Sequence, residues 1–202
     1  MTLLDDNIAY FGYPMVWLYT GWNIISTPIA LDPDCDTWGE YIALGDGLAI
    51  DTEATTYYFD GEIQDYVQVL GTYRLEPCDA IYVKMAADDV AAILLSPSVS
   101  VPSKELYAGW NLVSLAWLDP VLYAKSADEA LVTVEEVAGG LNGYKLVVSL
   151  SVNAYESPWI YIAGDDPSLP DDFMWITSGY WVFMLNDGTL AGFTFTPISL
   201  GM

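Results

Sequence analysis

The side chains that could carry chemistry in this chain are mostly carboxylates, because histidine is absent. The sequence holds 28 Asp and Glu residues against 5 Lys and Arg residues and no His. Without an imidazole there is no Ser–His or Cys–His nucleophile pair and no default proton carrier near neutral pH. No two carboxylates stand out as a glycosidase pair, and the densest ones, Asp165, Asp166, Asp171 and Asp172, are typical of a solvated loop. The sequence therefore predicts a protein that is not an enzyme.

Three alternating aspartates form the one pattern that resembles a metal site. Asp32, Asp34 and Asp36 place carboxylates at every second position, as at the start of a calcium-binding loop. The pattern then stops, because Thr37 stands where such a loop needs glycine and its last position lacks a glutamate. We favour a turn followed by a capping box, in which Thr37 is the N-cap residue of a helix and Glu40 is its partner three residues later. A bound calcium ion is the alternative, and no other cofactor is expected.

The two cysteines are the other reactive side chains. Cys35 and Cys78 both lie in the first half of the chain, and the second half has none. In an oxidising compartment such a pair predicts a disulfide, which would contribute about 4 kcal/mol in the chain-entropy model. The alternative is two free buried thiols. We expect the disulfide.

The elements that must position these side chains come from a duplicated pattern. Leu18–Ser26 reads LYTGWNIIS, and Leu106–Ser114 reads LYAGWNLVS. The differences are conservative, so the two stretches predict a tandem duplication. Apolar residues on both faces indicate a core strand, begun by a glycine turn and an asparagine that bonds nearby backbone groups. The motif residues are Gly21, Trp22 and Asn23 in one repeat and Gly109, Trp110 and Asn111 in the other.

A second shared pattern closes each repeat, where Ala80–Met85 aligns with Gly179–Met184. Between the two patterns, each repeat carries signals for a short helix and for a pair of strands. In the second repeat the helix signal is a capping box formed by Ser126 and Glu129. The predicted fold class is mainly β with short helices, arranged as two tandem homologous repeats of β-sandwich or β-barrel type.

These patterns divide the chain into four parts. Residues 1–17 form an N-terminal lead-in strand segment, 18–97 the first repeat, 98–105 a Pro-containing linker, and 106–202 the second repeat. The lead-in has no counterpart in the second repeat. We expect it either to add an edge strand to its own repeat or to be donated to a neighbouring molecule.

One difference between the repeats concerns the outward face of the closing strand. That face carries Tyr82 and Lys84 in the first repeat but Trp181 and Phe183 in the second. Since lysine almost never points into a core unpaired, the second outward face is either covered by its own longer loop or offered to a partner. The candidates for an assembly interface are Trp181, Phe183 and the lead-in residues Tyr10, Phe11 and Tyr13.

Composition limits the partners. The net charge is -23, so binding to nucleic acid or to an anionic membrane surface is disfavoured. The uncharged stretch from residue 7 to residue 31 contains glycines and prolines that argue against a membrane-spanning helix. Hydrophobic residues nevertheless make up 53% of the chain, which is more than two small domains bury easily and favours self-association. The alternative is that Tyr and Trp rings lie half-buried with their polar ends in water.

Together the opening and closing patterns, including the stretch Leu75–Met85 and the run Asp187–Gly192, resemble the repeat modules of archaeal cell-surface proteins. Methanogen surface-layer and sheath proteins contain modules that these patterns resemble. The resemblance covers nearly all of residues 18–197. It implies an extracellular, mainly β, structural role without enzymatic activity. It does not extend to the lead-in, to a signal or to an anchor.

The predicted function is a non-catalytic structural protein of the cell envelope that self-assembles into an extracellular layer, sheath or fibre. Its main partner is then itself, with glycans or other envelope proteins as further partners. High acidity would keep the lateral surfaces of such subunits solvated, and it would let divalent cations bridge neighbouring subunits. The alternative is an extracellular glycan-binding adhesion module, in which exposed Trp and Tyr rings stack on sugars.

Overall fold

A computed structural model of the chain describes residues 15–44, 47–96, 101–116, 124–137, 141–150, 158–165 and 173–192. The fold is mainly β, with short helices. The elements of the N-terminal half are β1 Met15–Leu18, β2 Gly21–Ser26, α1 Trp38–Ile42, β3 Tyr57–Asp60, β4 Asp65–Gln68, β5 Ala80–Met85 and β6 Asp89–Ala92. Those of the C-terminal half are β7 Ser103–Leu106, β8 Gly109–Ser114, β9 Ala124–Ser126, α2 Ala127–Ala130, α3 Val132–Glu135, β10 Glu136–Val137, β11 Leu141–Asn142, β12 Tyr144–Ser149, β13 Trp159–Ile162, β14 Phe173–Trp175, β15 Gly179–Met184 and β16 Gly188–Ala191.

Each half is built around a four-stranded antiparallel sheet. The N-terminal sheet has the order β2-β5-β3-β4, and the C-terminal sheet has the order β8-β15-β12-β13. The opening and closing patterns pair in the same register in both sheets, with Gly21 opposite Met85 and Gly109 opposite Met184. Further strand pairs are β1–β6, β7–β16, β9–β14 and β10–β11.

The glycine and asparagine of each opening pattern form the predicted turn. Gly21 has φ +101° and Gly109 has φ +107°, a conformation that glycine adopts without a Cβ penalty. Asn23 accepts a hydrogen bond from the N–H of Tyr19 at 2.9 Å and donates to the Tyr19 carbonyl at 2.6 Å. Asn111 repeats this arrangement in the second half. A buried amide therefore starts each core strand in the same way.

The capping-box prediction is confirmed for one helix and wrong for the other. At the start of α1, Thr37 Oγ1 accepts from the N–H of Glu40 and the N–H of Thr37 donates to the Glu40 carboxylate. Ser126 precedes α2, but its side chain makes no capping hydrogen bond. Ser126 is also the last residue of β9, where it pairs with Phe173. The helical segment is then interrupted at Leu131, between α2 and α3.

The inner faces of the sheets pack into two separate cores. Alternation along the closing strands is as predicted, since the inward residues Ile81, Val83 and Met85, like Tyr180, Val182 and Met184, are at most 1% exposed. The N-terminal core also contains Trp38 and the β1 residue Leu18. Thus the end of the lead-in adds a strand to its own half, because β1 pairs with β6. Part of the predicted linker, residues 98–105, forms most of β7.

The predicted disulfide is wrong, because the two cysteines belong to different surroundings. Both are free and buried. Cys78 packs in the C-terminal core although it comes from the N-terminal half, and its carbonyl accepts from the N–H of Ser114 at 3.0 Å. The Cys35 thiol instead faces the carbonyl of Leu94 at 3.9 Å. Burial raises the pKa of the Cys78 thiol to about 12, so this thiol is protonated at neutral pH.

Among the described residues, no helix has the length and apolar character needed to span a membrane.

Candidate functional site: the outer faces of the two sheets

The outer faces of the two sheets meet, and sequence-equivalent positions lie together there. Ile24, Ala80 and Leu112 are buried in one cluster, against which Tyr82 and Trp181 pack. In the shared patterns Ile24 corresponds to Leu112 and Tyr82 corresponds to Trp181. Matching surfaces that face each other in this way form a pseudo-symmetric contact, as in a two-fold dimer. The two halves therefore pack through the face that their patterns have in common.

Trp181 lies at the centre of this contact. Its Nε1–H donates to the Tyr82 hydroxyl at 2.9 Å, and its ring stands edge-to-face on Phe59 with 4.7 Å between centroids. The rings of Tyr66 and Trp110 lie 6.2 and 6.1 Å from it. Burial raises the pKa of Tyr82 to about 12, although the hydrogen bond from Trp181 acts in the opposite direction. The outward face of Trp181 is thus covered by the N-terminal half of the same chain.

Polar contacts hold the two sheets in this position. Ser26 Oγ donates to the carbonyl of Ser178 at 3.1 Å. Lys104 Nζ donates to the carbonyl of Leu112 at 2.8 Å and forms an ion pair with Asp79. Gly179 allows the close approach, because a Cβ there would lie 2.2 Å from Ile24 Cγ2. The contact therefore depends on a residue without a side chain.

Gln64 closes the outer edge of β8. Its backbone adopts φ +56° in the turn between β3 and β4, which aims the side-chain amide at Trp110. Nε2 donates to the Trp110 carbonyl at 2.8 Å, and Oε1 accepts from the Trp110 N–H at 2.8 Å. Nε2 also donates to the Gly61 carbonyl at 2.5 Å. One side chain thus supplies the donor and the acceptor that a neighbouring strand would otherwise offer; we call this contact the Gln64 clasp.

The remainder of the C-terminal outer face is apolar. Opposite residues in antiparallel strands point to the same side of a sheet, so the register gives two rows that cross it. One row reads Ile162, Leu146, Phe183 and Trp110, and the other reads Ile160, Val148, Trp181 and Leu112. Ile160 is 63% exposed and Ile162 is 50% exposed. Only the Trp181 end of these rows is covered by the N-terminal sheet.

A second apolar surface belongs to β14. Met174 points into the C-terminal core, whereas its neighbours Phe173 and Trp175 are exposed. Because the core lies between β14 and the four-stranded sheet, this surface and the outer face of that sheet point away from the core on different sides. The C-terminal half thus presents two separate apolar surfaces.

Two of the predicted interface residues, Trp181 and Phe183, lie on the same outer face, and Phe183 packs on Trp110 with 5.1 Å between ring centroids. Trp181 is covered by the N-terminal half of the chain, which is neither of the two covers predicted for it, its own longer loop or a partner. Ile160 and Ile162 were not predicted, although a β-rich run that is apolar at every position is a signal for a strand with two apolar faces. The lead-in candidates Tyr10, Phe11 and Tyr13 lie outside the described residues.

Two of the three candidate calcium ligands use their carboxylates in local contacts. Asp32 Oδ1 accepts from the N–H of Asp34 at 3.0 Å. Asp36 forms an ion pair with Arg74. In the described part of the chain, no group of three or more Asp, Glu, Cys or His side chains is arranged to hold a metal ion. The calcium alternative stays a prediction.

Comparison with known proteins gives no indication of function, so the evidence for function is the pair of apolar surfaces on the C-terminal half. No family model, no curated protein and no solved structure matches this chain.

Proposed function

We propose that this protein is a non-catalytic structural protein of the cell envelope that self-assembles into an extracellular layer, sheath or fibre. The observation that carries the proposal is that the C-terminal half exposes apolar side chains on two sides of its core. Ile160 and Ile162 lie on one side, and Phe173 and Trp175 on the other. Large exposed apolar surfaces mark contact sites in water-exposed proteins.

Two separate contact surfaces allow open-ended growth. A single self-complementary surface closes a dimer, whereas two surfaces on one molecule let each subunit bind neighbours on both sides. A layer, sheath or fibre requires at least this valency. Bivalence therefore distinguishes a polymer subunit from an ordinary dimer.

The charge of the chain supports contacts at these surfaces and not elsewhere. With a net charge of -23, two copies repel each other over most of their surfaces, and this repulsion weakens as salt screens it. Apolar faces are the places where close approach costs little electrostatic energy. Assembly should therefore strengthen with ionic strength, and divalent cations should promote it further.

The location of the assembly rests on the sequence resemblance. The shared Gly-Trp-Asn patterns resemble the repeat modules of archaeal surface-layer and sheath proteins, which favours the outer face of a cell envelope. Other envelope proteins and glycans are then natural neighbours of the polymer.

Electron microscopy and sedimentation velocity of the purified full chain, over a range of protein and salt concentrations, test the proposal. We expect fibres, tubes or sheets, and sedimentation coefficients that rise with protein concentration. A monodisperse monomer at every concentration and salt condition would refute it.

Glycan binding is the second candidate, because half-exposed rings flank Trp181. Tyr66 and Trp110 both stand near its indole with part of their surfaces in water, and aromatic faces of this kind combine an apolar body with a polar end. A glycan array separates the two candidates. Oligosaccharide binding by a stable monomer that Trp110→Ala abolishes would favour adhesion over assembly.

A further inference from the structure

We propose that a second copy of this chain docks at β13, so that the two β13 strands pair antiparallel about a two-fold axis and join their C-terminal sheets. The contact consists of the outer edge of β13 and the adjoining side chains Ile160, Ile162, Val148 and Leu146, which we call the β13 surface. This inference rests on the proposed function, since it identifies one contact through which subunits assemble. It adds the partner, the strand and the symmetry.

The two edges of the C-terminal sheet differ. β13 is the last strand in its sheet, and no described strand pairs with its outer edge. At its end the Ile162 carbonyl accepts from the N–H of Asp165 in the following turn, which leaves Ile160 as the centre of the edge. At the opposite edge, the Gln64 clasp occupies the backbone N–H and carbonyl of Trp110 in β8. An unpaired strand edge is a template for another strand. The C-terminal sheet is therefore open to extension at β13.

The corresponding edge strands of the two sheets differ in their side chains. In the N-terminal sheet, Gln68 of β4 pairs with Tyr57, which pairs with Tyr82. In the C-terminal sheet, Ile160 takes the place of that glutamine, because it pairs with Val148, which pairs with Trp181. Polar and charged edges discourage pairing between molecules, and apolar edges promote it. The N-terminal edge is thus protected, whereas the C-terminal edge is suited to a contact.

The β13 surface is continuous with the contact between the two halves. Trp181 and Leu112 are covered by the N-terminal sheet, and the same row continues without a charge through Val148 to Ile160. The chain has thus already buried one end of this row by packing sheet face against sheet face. A second copy extends the same burial to the other end.

The charge of the two strands points to this chain itself as the occupant. Lys145 is the only charged residue in β12 and β13, so these strands place no acidic group between the two copies, and Asp165 lies beyond the end of β13. In a two-fold antiparallel strand pair centred on Ile160, this isoleucine meets the Ile160 of the other copy. An aliphatic strand edge of this kind is complementary to itself and needs no second protein.

The test compares two isoleucine-to-lysine substitutions with matched exposure. Ile160 is 63% exposed and Ile63, in the turn of the N-terminal half, is 62% exposed. Both variants add the same positive charge, and neither removes a core contact, so near-ultraviolet circular dichroism should match that of the unaltered chain. We expect Ile160→Lys to weaken self-association at least about tenfold, since a lysine must be desolvated in the strand contact, and Ile63→Lys to leave it unchanged. Equal association constants for the two variants would overturn the inference.

Cysteine cross-linking supplies an independent measurement. The two natural cysteines are buried, so mild oxidation should join chains only through an introduced thiol. Ile160→Cys, which lies near the two-fold axis, should give a covalent dimer, whereas Ile63→Cys should not. Covalent dimers formed equally by both variants, or by neither, would contradict the β13 contact.

The outcomes separate this inference from the proposed function. A dimer that Ile160→Lys dissociates, without any larger assembly of the unaltered chain, supports the β13 contact and refutes the polymer. Polymers that form equally well from Ile160→Lys support the polymer and refute the β13 contact. A chain that remains monomeric at every concentration refutes both.

Discussion

The Gln64 clasp can be tested with a substitution that changes one group of atoms. Gln64→Glu keeps the size and shape of the side chain but replaces the amide NH₂ with an oxygen. The Nε2 position now donates to the carbonyls of Gly61 at 2.5 Å and Trp110 at 2.8 Å. In the variant a carboxylate oxygen would face those two carbonyl oxygens, while the Trp110 N–H would keep its acceptor.

The expected loss is about 2 kcal/mol in the free energy of unfolding at neutral pH. Two hydrogen bonds disappear, each worth about 1 kcal/mol net. Repulsion between the oxygens adds to the loss, and water at this exposed turn reduces it. Gln68→Glu is the matched control, because it adds the same charge to an exposed position on β4 outside the clasp. Urea unfolding followed by tryptophan fluorescence measures both variants.

Acid should reverse part of this loss. Two carbonyl oxygens disfavour the ionised form, so the pKa of the carboxyl introduced by Gln64→Glu should be higher in the folded than in the unfolded chain. Stability is then full below the unfolded value, which is about 4.3, and is lost as pH rises through the folded value. The difference between the Gln64 and Gln68 variants should therefore shrink below about pH 5. Equal stability of the two variants at pH 7 would refute the role of the clasp.

Three further predictions concern other parts of the structure and are measured by urea unfolding. Gly179→Ala should destabilise the chain by about 1–3 kcal/mol because the added Cβ would overlap the opposing sheet. Gly188→Ala is the control and should cost much less, because the nearest atoms to its added Cβ lie 3.5 Å away. Equal losses in the two variants would contradict the close contact of the halves. Thr37→Ala should lower the free energy of unfolding by about 1 kcal/mol. Ser126→Ala should lower it less, since of these two residues only Thr37 caps its helix through the side chain. A larger loss for Ser126→Ala would refute the capping role of Thr37. The pKa of Tyr82 is raised to about 12, so the free energy of unfolding should be at its full value below about pH 10 and fall as pH rises from there through the folded pKa. Tyr82→Phe should reduce that fall. If the free energy of unfolding falls with pH equally steeply in Tyr82→Phe above about pH 10, the titration of Tyr82 is not its cause.

The strands were predictable because their signals are local. The alternation in Ala80–Met85 and Gly179–Met184 identified the inward residues, and the Gly-Trp-Asn patterns identified the turn and the strand that follows it. The capping box at Thr37 was also predictable, since Thr37 and its partner Glu40 lie within one helical turn. Each of these features is determined by residues a few positions apart.

The contacts between distant segments were not predictable in the same way. The confinement of Cys35 and Cys78 to one repeat suggested a disulfide, but Cys78 is inserted into the core of the other half. The outward position of Trp181 was correct, yet its burial against Tyr82 depends on the two sheets meeting face to face. Such contacts join residues that are far apart in the chain, and no local pattern encodes them.

The incomplete cover of the C-terminal sheet follows from the difference between its two ends. At the β8 end, the equivalent surfaces of the two halves match, and Gly179 lets the sheets approach closely. At the β13 end, the N-terminal sheet has no isoleucine to match Ile160, because the equivalent position of its edge strand carries Gln68. The pseudo-symmetry that joins the halves is therefore broken where β13 begins. A subunit whose sheets matched over their whole length would bury both faces internally, and this chain instead leaves the β13 surface for a neighbouring copy.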